Sequence, residues 1–314
     1  MQKIKTAVVG VGYLGKFHAQ KLKQIKGSEL LFVVDSSKES GQAVAKDLGV
    51  EYLPDYQQLK GKVDAVTVAA TTSAHYEITK FLLNNGIHVN VEKPITSTTS
   101  EARELCDLAE KNNLKLQVGH VERFNPVFQE VQSKLENPLF IECHRLAPFK
   151  PRGVDVSVVL DLMIHDLDVI LSLVKQKVVK VSACGTPVLT STTDIASARL
   201  EFEGGCTANI TASRVSINAQ RKFRVFQKNQ YLSLDFGGGE VNLVTKVGEF
   251  DGDNLPIETE SWNLEKGDAL LAENQAFVDA IINDTQVPVT GRHGLEALEL
   301  AEQIINEIKQ TTRN

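Results

Sequence analysis

Cysteine is scarce and scattered. Cys106, Cys143, Cys184 and Cys206 stand far apart, and no Cys-x-x-Cys pair exists to build a zinc knuckle or a redox dithiol. Such a pattern suits a reducing compartment, and no metal site is expected. The chain also lacks a run of ~18 uncharged apolar residues, the length a membrane-spanning helix needs. Lysines ahead of the apolar stretch in MQKIKTAVVGVGYLG imitate a secretory leader, but no apolar segment with a cleavage site follows, and a buried first strand explains the stretch better. An excess of base is missing too. Lys and Arg number 34 against 40 Asp and Glu, a formal charge of −6, the wrong sign for a nucleic acid or an anionic membrane as principal partner. A cytoplasmic protein with a small-molecule ligand is the expectation.

What is present is globular. Apolar residues make up 42% of the 314, enough for a core, and the length fits two domains of ~100–200 residues. Between residues 3 and 119 short apolar runs (TAVV, LLFVV, VDAVTVAA, IHVNV, LKLQV) alternate with stretches of helical spacing at 14–26, 37–48, 75–85 and 98–112. Continuous rather than alternating apolar strands indicate a sheet covered on both faces, hence a doubly wound parallel α/β domain over 1–120. Beyond residue 138 the period becomes two. Ala196, Ala198, Leu200 and Phe202, then Cys206, Ala208, Ile210 and Ala212, flank Gly204-Gly205, a hairpin signal. Strands near 139–149, 178–188, 194–203, 205–213, 220–228, 230–236 and 240–247, with helices at 157–174, 268–284 and 293–310, give an α+β domain over 121–314 with a mainly antiparallel sheet. The last helix is expected to pack back on the first domain, and the hinge falls near Gly119 to Pro126.

The turn Gly10-Val11-Gly12-Tyr13-Leu14-Gly15 follows a strand and opens a helix. There Gly10 permits the tight turn, Gly12 lets the backbone approach a pyrophosphate, and Gly15 allows close helix packing, with Tyr13 and Leu14 between them. Free N–H groups at the helix start favour the phosphates. Asp35 ends the second strand, placed to accept ribose hydroxyls, and Ser36 follows it. A carboxylate there repels a 2′-phosphate, so NAD is expected over NADP, although Lys38 softens that preference. Thr71, Thr72 and His75 start the helix after the fourth strand, where they meet the cofactor or substrate, or else Thr72 or Ser73 caps the helix.

Glu92-Lys93-Pro94 leaves the fifth strand at its carboxyl end, on the rim where open parallel sheets bind ligands. An ammonium there steadies a developing alkoxide; the other reading is a Lys93 ion pair with Glu92. In SVVLDLMIHDLDVILSLV, Asp161, His165 and Asp168 fall at i, i+4 and i+7 on one face of an apolar helix. Buried unpaired, such groups cost several kcal/mol, so they either bond one another or face a ligand. Imidazole suits removal of a hydroxyl proton as hydride leaves carbon, with Asp161 orienting it or gripping the sugar. A satisfied His-Asp core pair is the alternative. Arg123 and Asn125 end the sixth strand at the hinge, within reach of the cleft. Arg145, Lys150, Arg152 and Arg214 carry the right charge for a phosphate or diphosphate, if they are not solvated surface charges. His18, His88 and His293 read as structural.

Taken together, Gly10 to Gly15, Thr71 to His75, Glu92-Lys93-Pro94, Arg123-Phe124-x-Pro126, Asp161-x-x-x-His165-x-x-Asp168 and GLEALELAEQI (294–304) resemble the Gfo/Idh/MocA family of sugar and cyclitol oxidoreductases. The resemblance implies an N-terminal Rossmann domain that binds NAD, a C-terminal sheet used in oligomer contacts (a homodimer or homotetramer), active-site Lys93 and His165, and often a cis Lys93-Pro94 peptide. Met163 departs from the glycine many members carry, and Glu122 from a basic residue. Within the family, GHVERFNP and VVLDLMIHDLDVILSL look most like members that oxidise the 3-hydroxyl of UDP-N-acetylglucosamine for lipid A amino sugars. Inositol or free-sugar oxidation is the alternative, and a non-catalytic NAD-binding regulator the alternative of another class.

Overall fold

The computed structural model describes residues 3–151, 156–250 and 252–311. The chain forms two compact units, one of residues up to Val121 together with Asp268–Leu298, the other of Glu122–Gly267 with the chain from Glu299. Residues 268–298, expected within a second domain of 121–314, group instead with the first unit.

Along the first unit, β1 (Ile4–Val9), α1 (Tyr13–Gln24), β2 (Ser28–Val34), α2 (Lys38–Leu48), β3 (Glu51–Leu53), β4 (Ala65–Val68), α3 (Thr72–Asn84), β5 (His88–Glu92), α4 (Thr99–Lys111) and β6 (Leu116–Gly119) follow one another. The six strands form one parallel sheet in the order β3-β2-β1-β4-β5-β6. Every residue of β4 is buried, as a strand covered on both faces requires. Its order reverses between β1 and β4, the point at which doubly wound sheets open a crevice at the strands' carboxyl ends. The three-residue β3 is too short for a periodicity to register.

The second unit contains α5 (Pro126–Val131), β7 (Pro138–Leu146), a π-helical turn at Val159–Met163, α6 (Ile164–Val174) and the strands β8 (Val178–Thr186), β9 (Ile195–Phe202), β10 (Thr207–Ser213), β11 (Gln220–Gln227), β12 (Gln230–Asp235), β13 (Glu240–Lys246) and β14 (Ile257–Asn263). They pair as β14-β13-β12-β11-β7-β10-β9-β8, antiparallel except where β7 meets β10. The hairpin of β9 and β10 turns at Gly205, whose φ of +87° explains glycine there. Ala196, Ala198, Leu200, Phe202, Cys206, Ala208, Ile210 and Ala212 all face the core with α6. Strand β14 is exposed at every residue but Trp262, which packs against the core, and so carries no apolar alternation in its sequence.

Two helices close the chain, α7 (Ala269–Ile282) and α8 (Gly291–Thr311). Phe277, Val278 and Ala280 of α7 pack into the first unit's core, against residues that include Val8 and Ala65. The first turns of α8 belong to the same unit because Gly291 and Gly294 let the helix lie on β6, where a Cβ would come within 2.7 Å of Leu116 and 2.6 Å of Val118.

Candidate active site

At the reversal point of the parallel sheet lies a cleft of about 520 Å³ lined by Gly10, Gly12, Asp35, Ser36, Tyr56 and Thr71, among others. The three glycines there do different work. Gly10 has φ +83°, and a Cβ on it would strike the Ala70 backbone at 2.5 Å. A Cβ on Gly15 would strike the Gly10 carbonyl oxygen at 1.7 Å, while one on Gly12 would meet nothing within 4 Å. Gly10 and Gly15 therefore fix the turn, and Gly12 leaves open the surface that a pyrophosphate would approach. Tyr13 and Leu14 are exposed beside it. Asp35 accepts the Val11 N–H on Oδ2 at 2.8 Å and the Ser37 N–H on Oδ1 at 2.8 Å. Each oxygen keeps a lone pair for a ribose hydroxyl, since a carboxylate offers about four acceptor sites. These residues fit a dinucleotide.

On the rim, the N-cap of α3 is Thr71, not Thr72 or Ser73, and it makes no side-chain cap bond. His75 is buried, with Nδ1 2.9 Å from the Pro94 carbonyl and Nε2 3.1 Å from that of Ala70. Burial pushes its pKa down, against the pull of those carbonyls. Its ring ties the α3 turn to the segment after Lys93, so its nitrogens are directed to backbone rather than to a ligand. The Lys93-Pro94 peptide is cis, and Lys93 is half-buried.

Glu92 does not face outward as its place on the rim suggests. Its Oε1 meets His18 Nε2 at 2.8 Å and its Oε2 accepts the Lys93 backbone N–H at 3.1 Å. The cluster continues inward: Asn274 lies at 3.0–3.2 Å from His18 Nδ1, Asn90 Nδ2 donates to Glu273 Oε1 at 3.2 Å, and Gln117 Nε2 donates to the Glu273 carbonyl at 3.1 Å. Burial opposes charge on His18, yet the bond to Glu92 leaves its pKa raised. Burial likewise pushes Glu92 up, but His18 and Lys93 bring it below the carboxylate range. His18, expected to be structural, sits buried at the centre of this cluster. The signal was there, since Gly15, His18, Ala19 and Leu22 form one buried stripe of α1.

In the second unit the helix bearing His165 is not α-helical throughout. Residues Val159–Met163 make a π turn, so the simple i, i+4, i+7 face is interrupted. Asp161 and His165 are half-buried, whereas Asp166 and Asp168 turn inward. Asp168 holds Arg123 in a two-point pair, Oδ2 to Nε 2.7 Å and Oδ1 to Nη2 3.1 Å. Arg145 is 5% exposed; its Nε and Nη2 bond Asp166 at 2.8 and 2.9 Å, and its Nη1 bonds Glu122 at 2.9 Å. Burial opposes the Glu122 charge, but Arg145 and Arg221 bring its pKa down. Arg145, expected for phosphate, and Arg123, expected within reach of the cleft, are thus both engaged by carboxylates of α6 beside His165. A buried acid at 122 is matched by the buried base at 145. Asn125 caps α5 through the Val127 N–H at 3.0 Å and donates to Glu122. Arg214 is buried against Asp194 at 3.4 Å, Lys150 is exposed, and Arg152 lies outside the described residues. Met163 is fully buried in the core. Among the described residues no group of three His, Cys, Asp or Glu could hold a metal ion.

A reversing parallel sheet with this glycine turn and an acid after β2 defines a Rossmann domain of the dinucleotide-binding class. The model of the oxidoreductase family with NAD-binding Rossmann fold, Gfo/Idh/MocA, matches residues 4–120, and that of the Gfo/Idh/MocA C-terminal domain matches 138–232; the chain belongs to this family. It is 37% identical over 307 residues, 97% of each chain, to UDP-N-acetylglucosamine 3-dehydrogenase of Acidithiobacillus ferrooxidans. The solved structure of that enzyme superposes with a TM-score of 0.92 at 36% identity over 99% of both chains. The scyllo-inositol 2-dehydrogenase (NAD(+)) of Bacillus subtilis is 27% identical over 68% of each chain. A scyllo-inositol dehydrogenase of Lactobacillus casei, solved with NAD(H) and scyllo-inositol, shares the fold with a TM-score of 0.82 at 22% identity over 99% of this chain and 98% of that one.

Proposed function

We propose that this NAD-dependent oxidoreductase oxidises the 3-hydroxyl of UDP-N-acetylglucosamine to a ketone. The observation that carries the reading is the end-to-end likeness, 37% over 97% of both chains, to a dehydrogenase of that substrate. NAD when bound supplies the acceptor for the hydride of the substrate carbon. Gly12 and Asp35 would hold it, the first through the open backbone of the turn and the second through the ribose hydroxyls. An imidazole nitrogen of His165 takes the hydroxyl proton, Asp161 orients that ring or a sugar hydroxyl, and Lys93 Nζ steadies the developing oxyanion. The Arg123–Asp168 and Arg145–Asp166 pairs support the site by fixing α6. Such an enzyme works in the cytoplasm as a homodimer or homotetramer, and its 3-keto product suits amination toward lipid A sugars. Phe140, Phe226 and Tyr231, a row of rings 4.8–5.6 Å apart on the sheet face turned from the core, support self-association there.

The test is a turnover screen, followed by NADH absorbance, of NAD and NADP against nucleotide sugars, inositols and hexoses. Saturable NAD reduction by UDP-N-acetylglucosamine and none by the free sugar is the expected result. Turnover of inositols alone would move the protein to the cyclitol branch, and no turnover of any substrate would make it a binding protein.

A further inference from the structure

Behind the rim, the first unit buries two carboxyl groups and one imidazole in a single cluster. His18, Asn90, Gln117, Glu273 and Asn274 are at most 1% exposed, and Glu92 is 9% exposed. Hydrogen-bond donors are unevenly shared among them. Glu92 has the His18 ring on one oxygen and the Lys93 N–H on the other. Glu273 has one amide donor, Asn90, on Oε1, while its Oε2 and the neighbouring Gln117 Oε1 have no hydrogen-bond partner among the described residues. A buried anion so poorly supplied is costly, and the nearest positive charge, His18, is already bonded to Glu92.

We propose that Glu273 is a positioning residue for Lys93: when it carries a proton it leaves Glu92 the sole carboxylate of the cluster, and Glu92 then clamps His18 and the Lys93 backbone N–H together.

The surroundings agree. Burial pushes the Glu273 carboxyl up, His18 pulls it down and Glu92 raises it again, leaving it at about 7. The charged groups facing it come from two elements, His18 from α1 and Glu92, with Lys93 next to it, from β5. From β6 it meets the uncharged Gln117, and the one titratable side chain of β1, Lys5, is exposed. On α7 itself, Asp268 at the start is paired with Lys21 at 2.7 Å, at the solvent end. Near neutral pH one proton therefore decides whether the cluster holds one negative carboxylate or two. His18 can follow such a change, because Asn274 offers its Nδ1 either an oxygen at 3.2 Å or an amide nitrogen at 3.0 Å.

This inference rests on the proposed role of Lys93 only for its kinetic consequence. The experiment is a pH titration of the full-length protein labelled with 15N-lysine, with the Lys93 amide assigned by its loss in Lys93→Arg. In the wild type that amide shifts with a midpoint near 7. Glu273→Gln, which copies the neutral acid, abolishes the step, and Glu273→Asp retains one. In parallel, the kcat–pH profile of Glu273→Gln loses one ionisation while KM for NAD stays within about twofold, and Glu92→Gln lowers kcat by ~10- to 10²-fold through misplaced Lys93. A flat wild-type amide, or a Glu273→Gln titration like the wild type's, overturns the proposal. A lost amide step with an unchanged kcat–pH profile also overturns it, because Glu273 is then structural only. Absence of turnover on nucleotide sugars refutes the proposed function and leaves the amide result standing by itself.

Discussion

Arg145 and Asp166 meet as a two-point pair, Nε to Oδ2 at 2.8 Å and Nη2 to Oδ1 at 2.9 Å, one residue beyond His165. With Glu122 on its third nitrogen, the guanidinium is an internal strut. Arg145→Ala strips buried Asp166 of its two-point partner and leaves Glu122 only Asn125 and the exposed Arg221, and removing one partner of such a buried set costs about 3–5 kcal/mol. Urea unfolding should show that loss. A variant of wild-type stability with a raised KM for the nucleotide sugar would instead return Arg145 to the role of phosphate ligand.

The glycine turn gives a contrast independent of turnover. Gly12→Ala has room for its methyl group, so its melting temperature should stay close to the wild type's, while NAD affinity measured by calorimetry falls by about tenfold or more because the pyrophosphate loses its close approach. Gly15→Ala, whose Cβ overlaps the Gly10 carbonyl, should lose stability as well as binding. Equal NAD affinity in Gly12→Ala and wild type would remove the dinucleotide from this cleft.

Lys93→Ala and His165→Ala should each reduce kcat by ~10²-fold or more with NAD affinity nearly kept. Stopped-flow measurement of NADH formation is the check, and near-normal rates in both variants would discard the assignment of chemistry to them.

Acid stability should carry the mark of Asp194. This fully buried carboxylate accepts the N–H groups of Val188, Leu189 and Thr190 at 2.6–2.8 Å. Burial opposes its charge, but those bonds depress its pKa from 3.8 to about 2. The folded value lies below the unfolded one, so the stabilisation is present above about pH 4 and disappears as pH falls through about 2, a contribution of about 2 kcal/mol. Asp194→Asn should flatten that part of the stability–pH curve. An unchanged acid limb would show that the loop at 187–194 does not depend on the charge.

Much of the architecture was legible because it rests on local pattern. The apolar runs of β1, β2, β4, β5 and β6, the glycine turn and the alternation across Gly204-Gly205 each report an environment through neighbours a few residues away. What lay hidden involves partners far apart in sequence. Nothing near Glu92 announces His18, 74 residues earlier, and nothing near Arg145 announces Asp166 as opposed to a phosphate. The charge of Arg145 implies that it meets an anion, and the fold decides which one. Helix α7 joined the first unit for a similar reason, since its apolar stripe fits either unit equally well as a pattern.

The π turn at Val159–Met163 takes up more residues per turn than an ordinary helix does, so it holds the angular slack of the segment ahead of His165. Losing one residue inside it would let the coil close to ordinary pitch with the turns on either side still in phase. Losing one from α6 between His165 and Asp168 has no such slack, and would turn Asp161 by about 100° relative to Asp168. Length is therefore forgiven in one short stretch of this wall, while Val159 and Met163, fully buried in the core, still constrain its bulk.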